Sequence, residues 1–148
     1  MQKITVRTNS PAQTMALAER VGARLRPGDM IAYFGGLGVG KTTFTRGLAK
    51  GMGLPDVVSS PTFAIVQEYH GDGLSLYHFD IYRINGEMDL ESTGFYDYPL
   101  EESVFAIEWA ENLTELSSDA IRITLRRISD DVREVTIEGD ERFADLGN

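Results

Sequence analysis

A glycine-rich run in the first third of the chain carries the residue types that bind phosphate. Residues 35–42 read Gly-Gly-Leu-Gly-Val-Gly-Lys-Thr, which fits the pattern G-x-x-x-x-G-K-[ST] at every fixed position. Glycines allow backbone angles closed to other residues, so successive N–H groups can turn inward and surround phosphate oxygens. We expect Lys41 to reach the terminal phosphates and Thr42 to offer its hydroxyl to Mg²⁺. The run predicts a phosphate-binding loop, called the phosphate loop below.

The segments on either side of the phosphate loop support the same interpretation. The apolar segment Met30–Phe34 before it is strand-like, and residues 43–49 after it are typical of a helix whose positive end faces the anion. The chain also lacks the Asn-Lys-x-Asp segment with which GTPases recognise guanine. We therefore expect a nucleoside triphosphate held with Mg²⁺, and ATP is the favoured ligand.

Size and charge limit the class of protein. The 148 residues are about the length of one domain, and the absence of cysteine excludes disulfides, thiolate metal sites and a cysteine nucleophile. With 14 basic and 23 acidic residues, the net charge of −9 argues against a broad nucleic-acid surface. No apolar stretch reaches membrane-spanning length. We expect a cytoplasmic protein without a membrane contact.

The order of apolar segments predicts an α/β, P-loop NTPase-like fold with a mixed parallel and antiparallel central sheet flanked by helices. One helix is expected to start at Ser10 and Pro11, and another follows the phosphate loop. The predicted strands cover residues 3–7, 30–34, 63–69, 74–80, 104–107, 121–126 and 133–137. Two of the gaps between them are short enough for antiparallel hairpins. We predict one domain over 1–138 and a flexible tail over 139–148.

Hydrolysis or phosphoryl transfer also needs an acid near Mg²⁺ and a group that positions the attacking molecule. Glu108 closes a continuous apolar run, which is typical of a strand buried on both faces, and so reaches the sheet edge where α/β proteins bind ligands. Asp80 closes an alternating, half-buried strand. We assign Glu108 to the Mg²⁺ shell and Asp80 to orienting the water. Each could instead be a solvated carboxylate at the end of a strand.

Three further residues each have two interpretations. Thr62 follows Pro61 in a loop where nucleotide switches place a hydroxyl that senses the γ-phosphate, although Ser-Pro-Thr is also a common turn. Trp109 follows Glu108 and is either a core residue or a partner contact beside the metal. His78 is expected to pack or form a hydrogen bond within the sheet. We assign no metal to the histidines.

Four segments follow one another along the chain: the phosphate loop with Thr43, Ser-Pro-Thr-Phe at 60–63, Tyr-His-Phe-Asp-Ile-Tyr-Arg at 77–83 and Ile-Glu-Trp at 107–109. In this order they resemble the bacterial TsaE (YjeE) ATPase family. The phosphate loop is generic, whereas the other three segments are specific to that family. The similarity covers about residues 10–138.

The resemblance implies a small ATPase needed for threonylcarbamoyladenosine, the modified adenosine beside the anticodon of tRNAs that read codons beginning with A. It implies that the chain binds TsaD and TsaB and that ATP hydrolysis supports their repeated turnover. The chain is then not itself the threonylcarbamoyl transferase, and it meets tRNA only through the complex. This agrees with an acidic chain.

The resemblance implies that the functional residues of the family, matched to this sequence by position, form one site. Nucleotide binding falls on Leu37, Gly38, Val39, Gly40, Lys41, Thr42 and Thr43. The candidate catalytic residues are Lys41, Asp80 and Glu108, the Mg²⁺ ligands are Thr42 and Glu108, and the switch or partner residues are Thr62 and Trp109. Gly36 stands where the family often has an acidic residue, so we expect a more flexible loop. Ser10 to Thr14 and Arg133 are candidate contacts to adenine or ribose.

Two other functions fit the same motif. A small-molecule kinase would use Asp80 as a base and Arg83 to bind the acceptor. A nucleotide-dependent binding module would use ATP only to set its affinity for a partner. We favour an ATPase whose hydrolysis is weak until partners order the switch loop.

Overall fold

Seven strands form one sheet in the computed structural model, which describes residues 2–35, 39–55, 66–71, 73–80, 99–108 and 120–147. The strands are β1 (Gln2–Thr8), β2 (Met30–Phe34), β3 (Val66–Tyr69), β4 (Ser75–Asp80), β5 (Ser103–Glu108), β6 (Ile121–Arg127) and β7 (Arg133–Gly139). The helices of the described residues are α1 (Pro11–Gly22), α2 (Lys41–Gly51) and two short 3₁₀ helices, Leu100–Glu102 and Glu141–Gly147. Neither α-helix in the described ranges has the length and apolarity needed to cross a membrane.

The strand order is β1-β7-β6-β2-β5-β4-β3. The four central strands β6, β2, β5 and β4 run parallel, whereas β3 pairs antiparallel with β4 and the pairs β6–β7 and β1–β7 are also antiparallel. This confirms the predicted mixed sheet. Residues 63–65 of the third predicted strand lie outside the described residues. In β5, every residue from Ser103 to Ile107 is buried, as expected for a central parallel strand.

The start of α1 follows the predicted signals. The Ser10 side chain accepts a hydrogen bond from Gln13 N–H at 3.1 Å, and the Gln13 side chain accepts one from Asn9 N–H at 2.8 Å. These reciprocal bonds satisfy backbone donors that a helix N-terminus otherwise leaves open, and Pro11 needs no donor at its position.

Three glycines let α1 and α2 pack with their backbones close together. A Cβ atom at Gly22 would lie 2.2 Å from the Leu48 carbonyl oxygen, and one at Gly51 would lie 2.0 Å from that of Glu19. A Cβ atom at Gly47 would lie 2.5 Å from the Ala18 Cβ. The helices lie over the face of the sheet that carries the main hydrophobic core. Because α2 begins at the phosphate-loop lysine, this packing also fixes one side of the loop.

The C-terminal segment is ordered, so the prediction of a flexible tail over 139–148 is wrong for residues 139–147. Gly139 ends β7, and the following 3₁₀ helix buries Phe143 and Leu146 in the main core. Arg142 donates two hydrogen bonds to Asp29, at 2.8 and 3.1 Å. Two apolar side chains spaced by three residues lie on one side of a 3₁₀ helix, which explains how so short a segment closes the core.

Candidate active site

The phosphate loop leaves the end of β2 and enters α2. Gly35 has φ of 128° and Gly40 has φ of 100°, both in the region that favours glycine. A Cβ atom at Gly35 would lie 2.5 Å from the Leu125 carbonyl oxygen, so only glycine lets the loop pass this close to β6. Gly36, Leu37 and Gly38 lie outside the described residues.

The N-terminus of α2 has the features that favour an anion. Gly40 is the N-cap residue, no side chain of the described residues caps it, and the first hydrogen bond of the helix runs from Phe44 N–H to Gly40 O at 2.9 Å. The first N–H groups of an α-helix point beyond its N-terminus, because no helical carbonyl lies ahead of them. Their partial positive charge adds to the helix dipole, which favours a phosphate at this position.

Lys41 is buried beneath the loop, with 5% of its side chain exposed. Its Nζ donates a hydrogen bond to Gly35 O at 3.0 Å and lies 3.7 Å from Glu108 Oε1. A buried ammonium group is tolerated only when it is paired and hydrogen-bonded, and here both contacts come from the chain itself. Lys41 therefore links the start of the phosphate loop to the end of β5.

A buried histidine lies against the same carboxylate. His78 Nε2 is 2.6 Å from Glu108 Oε2, and the two side chains are 4% and 12% exposed. At this distance Nε2 and the carboxylate form a close polar contact between two buried groups. Glu108, at the end of β5, thus lies between Lys41 of α2 and His78 of β4.

The electrostatics of the site keep Glu108 ionised. Burial raises its pKa, but the contact with His78 and the charge of Lys41 act in the opposite direction, and the net effect lowers the pKa below its ordinary value. Carboxylate oxygen is a ligand that Mg²⁺ prefers. An anionic carboxylate beside the phosphate-loop lysine could therefore hold that metal.

Hydrogen bonds fix the floor of the site. The Thr45 hydroxyl is hydrogen-bonded to the Tyr33 hydroxyl and to the Lys41 carbonyl, both at 2.9 Å. Tyr33 is fully buried, and its burial raises the pKa of the phenol above the ordinary value, so the ring stays neutral. The ring also packs edge-on against His78, with centroids 6.2 Å apart. These contacts join β2 to the first turns of α2.

A cavity of about 130 Å³ lies between the phosphate loop and the turn that joins β6 to β7. Its lining consists of Pro11, Thr14, Val39, Gly40, Thr43, Asp130, Asp131 and Arg133. Ser10 and Gln13 are instead occupied in capping α1. Of the predicted adenine or ribose contacts, the structure therefore brings Pro11, Thr14 and Arg133 to one cavity beside the loop.

Comparison with known proteins identifies the family that shares this arrangement. The model of the family "Threonylcarbamoyl adenosine biosynthesis protein TsaE" matches residues 8–135. The chain belongs to the TsaE family. The Bacillus subtilis TsaE protein is 41% identical over 149 residues, which cover 100% of this chain and 89% of the relative. The Streptomyces coelicolor TsaE protein is 41% identical over 136 residues, covering 86% and 92% of the two chains.

A solved structure shows the same fold. The crystal structure of YdiB from Bacillus subtilis superimposes with a TM-score of 0.72 at 34% identity. The match covers 98% of this chain and 91% of that chain. It agrees with the predicted P-loop NTPase-like architecture.

The structure brings several of the predicted TsaE site residues together. Lys41 and Glu108 are in contact, and Thr42 is exposed on the first turn of α2. Asp80 ends β4 at the position that pairs in register with Glu108. The predicted switch and partner residues Thr62 and Trp109 lie outside the described residues.

Sequence reasoning missed two contributions to this TsaE site. It placed His78 in the sheet but did not connect it with Glu108, because the contact depends on the pairing of β4 with β5. It named Arg133 as a candidate contact to adenine or ribose but did not predict that Arg133 Nε donates to Val39 O at 3.0 Å. The signal for His78 was a polar side chain in phase with the apolar Leu74 and Leu76 of an alternating strand, whereas no local pattern pointed to the Arg133 contact.

Proposed function

We propose that this TsaE family member is a Mg²⁺-dependent ATPase that works with TsaD and TsaB in threonylcarbamoyladenosine modification of tRNA. The observation that carries the proposal is the buried Lys41 beside the anionic Glu108, under an uncapped helix N-terminus. That combination fits the phosphates and metal of MgATP. Membership in a family named for threonylcarbamoyl adenosine biosynthesis supports the pathway.

Different residues would bind the phosphates, the metal and the nucleoside of MgATP. Lys41 and the backbone N–H groups of 39–43 would bind the phosphates, and the Thr42 hydroxyl and Glu108 would bind the metal. The cavity beside Pro11, Thr14 and Thr43 would receive part of the nucleoside. When bound, Mg²⁺ would neutralise the charge that develops on the phosphates during transfer.

Nucleotide binding would require Lys41 to exchange partners. Its Nζ now donates to Gly35 O and lies near Glu108, and a terminal phosphate would replace one or both contacts. The contact of His78 with Glu108 does not involve Lys41, so it would remain when the lysine turns away. The carboxylate would then keep its position while the lysine moves to the ligand.

We assign the orientation of the attacking water to Asp80, because its backbone lies level with Glu108 on the neighbouring strand. Thr62 is the proposed sensor of the γ-phosphate, and Trp109 the proposed partner contact. Switch segments of this kind often gain their catalytic arrangement from a second protein. We expect slow hydrolysis by the chain alone and faster hydrolysis with TsaD and TsaB.

We propose that contact with tRNA is indirect and that the protein acts in the cytoplasm. A net charge of −9 opposes the binding of a polyanion over a wide surface, because such binding depends on Lys and Arg that neutralise phosphates. TsaD and TsaB would then supply the contacts to tRNA.

The test is ATP hydrolysis by the purified chain, with and without Mg²⁺, TsaD, TsaB and tRNA. We expect Mg²⁺-dependent release of phosphate that rises with the partners. Asp80→Ala should still bind ATP and the partners but lose turnover and tRNA modification. Fast hydrolysis that ignores the partners would contradict partner gating. A phosphorylated small molecule in place of free phosphate would establish the kinase alternative, and normal modification by Asp80→Ala would establish the binding-module alternative.

A further inference from the structure

Arg133 connects the β6–β7 hairpin to the phosphate loop. Its Nε donates to Val39 O at 3.0 Å. The Nη1 atom of the same guanidinium donates to the carbonyl oxygens of Ser129, Asp130 and Val132, at 2.8, 3.1 and 3.1 Å. One planar cation thus joins the turn of the hairpin to the last peptide before Gly40.

This contact selects one orientation of the peptide that joins Val39 to Gly40. In a trans peptide the C=O and N–H bonds point in opposite directions. The Val39 carbonyl points to Arg133, so the Gly40 N–H is directed away from the hairpin. A phosphate loop binds its anion through N–H groups, and each carbonyl of the loop must therefore turn outward.

Gly40 cannot select this orientation by itself. Its φ of 100° lies in the left-handed region, but glycine adopts positive and negative φ almost equally well. A rotated Val39–Gly40 peptide would therefore meet little steric resistance at Gly40. The donor on Arg133 supplies the preference that the glycine lacks.

We propose that Arg133 is a positioning residue that, from outside the phosphate loop, holds the Val39–Gly40 peptide with its N–H group turned toward a bound anion, and that it does not contact the nucleoside. The inference rests on the proposed nucleotide site and deepens it. The hairpin touches the loop at a second place, since Gly35 packs against the Leu125 carbonyl of β6. The β6–β7 hairpin therefore supports both the entry and the exit of the loop.

The experiment measures binding of MgATP and of magnesium inorganic triphosphate by titration calorimetry. Arg133→Met removes all donors and keeps an unbranched apolar stem, and Arg133→Lys keeps the charge without the planar fork. Arg126→Met is the matched control, because Arg126 lies on the same hairpin, is 65% exposed and pairs with Glu134. Melting temperature and the number of binding sites report whether each variant folds.

We expect Arg133→Met to weaken both ligands by the same factor, about tenfold or more for a lost hydrogen bond from a charged donor. Arg133→Lys should be intermediate, and Arg126→Met should bind like the unmodified chain. If Arg133→Met does not fold, Arg133→Lys carries the same comparison between the two ligands.

Three results would overturn the inference. Weaker binding of ATP with normal binding of triphosphate would mean that Arg133 contacts the nucleoside. Normal affinity of either Arg133 variant for both ligands would mean that the loop needs no such support or that charge alone suffices. Failure of the unmodified chain to bind either ligand would refute the proposed nucleotide site itself. Binding by the unmodified chain is therefore measured before that of any variant.

Discussion

Substitution of Gly22 by alanine tests whether close packing of α1 and α2 holds the site together. Gly22 is the last residue of α1, and an added Cβ atom would lie 2.2 Å from the Leu48 carbonyl oxygen and 2.9 Å from the Leu48 Cα. Both atoms belong to the backbone of α2, so no side chain can rotate to make room. Ordinary contact needs at least 3.4 Å, so the helices must separate by about 1 Å.

Two opposing effects set the magnitude for Gly22→Ala. Overpacking of a close contact costs about 1–3 kcal/mol, whereas alanine is favoured over glycine in a helix by about 1 kcal/mol. Because the contact is with backbone, we expect the upper part of the range, with a net loss of about 1–2 kcal/mol in the free energy of unfolding. For a chain of this size that corresponds to a fall in melting temperature of about 2–8 °C.

The assay combines thermal unfolding with titration of MgATP. Since α2 begins at Lys41, moving the helix should also weaken nucleotide binding. Gly73→Ala is the control, because a Cβ atom at Gly73 would meet nothing within 4 Å. If Gly22→Ala melted at the same temperature as Gly73→Ala and bound MgATP equally well, the helix contact would not constrain the loop and the reasoning would be wrong.

Three further predictions concern the site and the C-terminus. Lys41→Ala should weaken ATP binding about tenfold to hundredfold, because it removes a charged donor. Glu108→Ala should mainly reduce Mg²⁺-dependent turnover. Equal affinity of Lys41→Ala and the unmodified chain for ATP in calorimetry would refute the role of Lys41. Folding lowers the pKa of Glu108, so its ionised form stabilises the fold above its ordinary pKa of 4.5, and this contribution is lost as pH falls through the lowered value. The melting-temperature advantage over Glu108→Gln should therefore be full above the ordinary pKa of 4.5 and shrink as the pH is lowered below it, and a constant difference would contradict the pairing. Ending the chain after Asp140 should reduce the free energy of unfolding by about 3–6 kcal/mol, because Phe143 and Leu146 are no longer there to be buried. The loss is measured by unfolding in urea, and an unchanged midpoint concentration of urea would contradict the packing of the C-terminal helix on the core.

The central part of the fold could be predicted because its signals are local. Continuous apolar runs marked the parallel strands β2 and β5, and Ser10 with Pro11 marked the start of α1. The position of Glu108 at the end of a strand could also be predicted, because it directly follows an apolar run. Each of these features depends on residues that are neighbours in the chain.

The features that were missed depend on distant residues. The contact of His78 with Glu108 requires the register between β4 and β5, and the bond from Arg133 to Val39 joins residues 94 positions apart. The C-terminal helix was mistaken for a tail because Phe143 and Leu146 are too few to show a periodic pattern. Their burial becomes visible only when the core they cover is known.

The position of β1 has a consequence for synthesis of the chain on the ribosome. In the described sheet β1 pairs with β7 alone, with Gln2 opposite Gly139, although β1 is made first. The next strand to emerge, β2, has β5 and β6 as its neighbours and so also waits for later residues. A nascent chain can close the β3–β4 hairpin early, but the sheet is completed only when β7 has emerged. Premature termination before β7 would therefore leave β1 without a partner strand and expose an unfinished sheet to proteases.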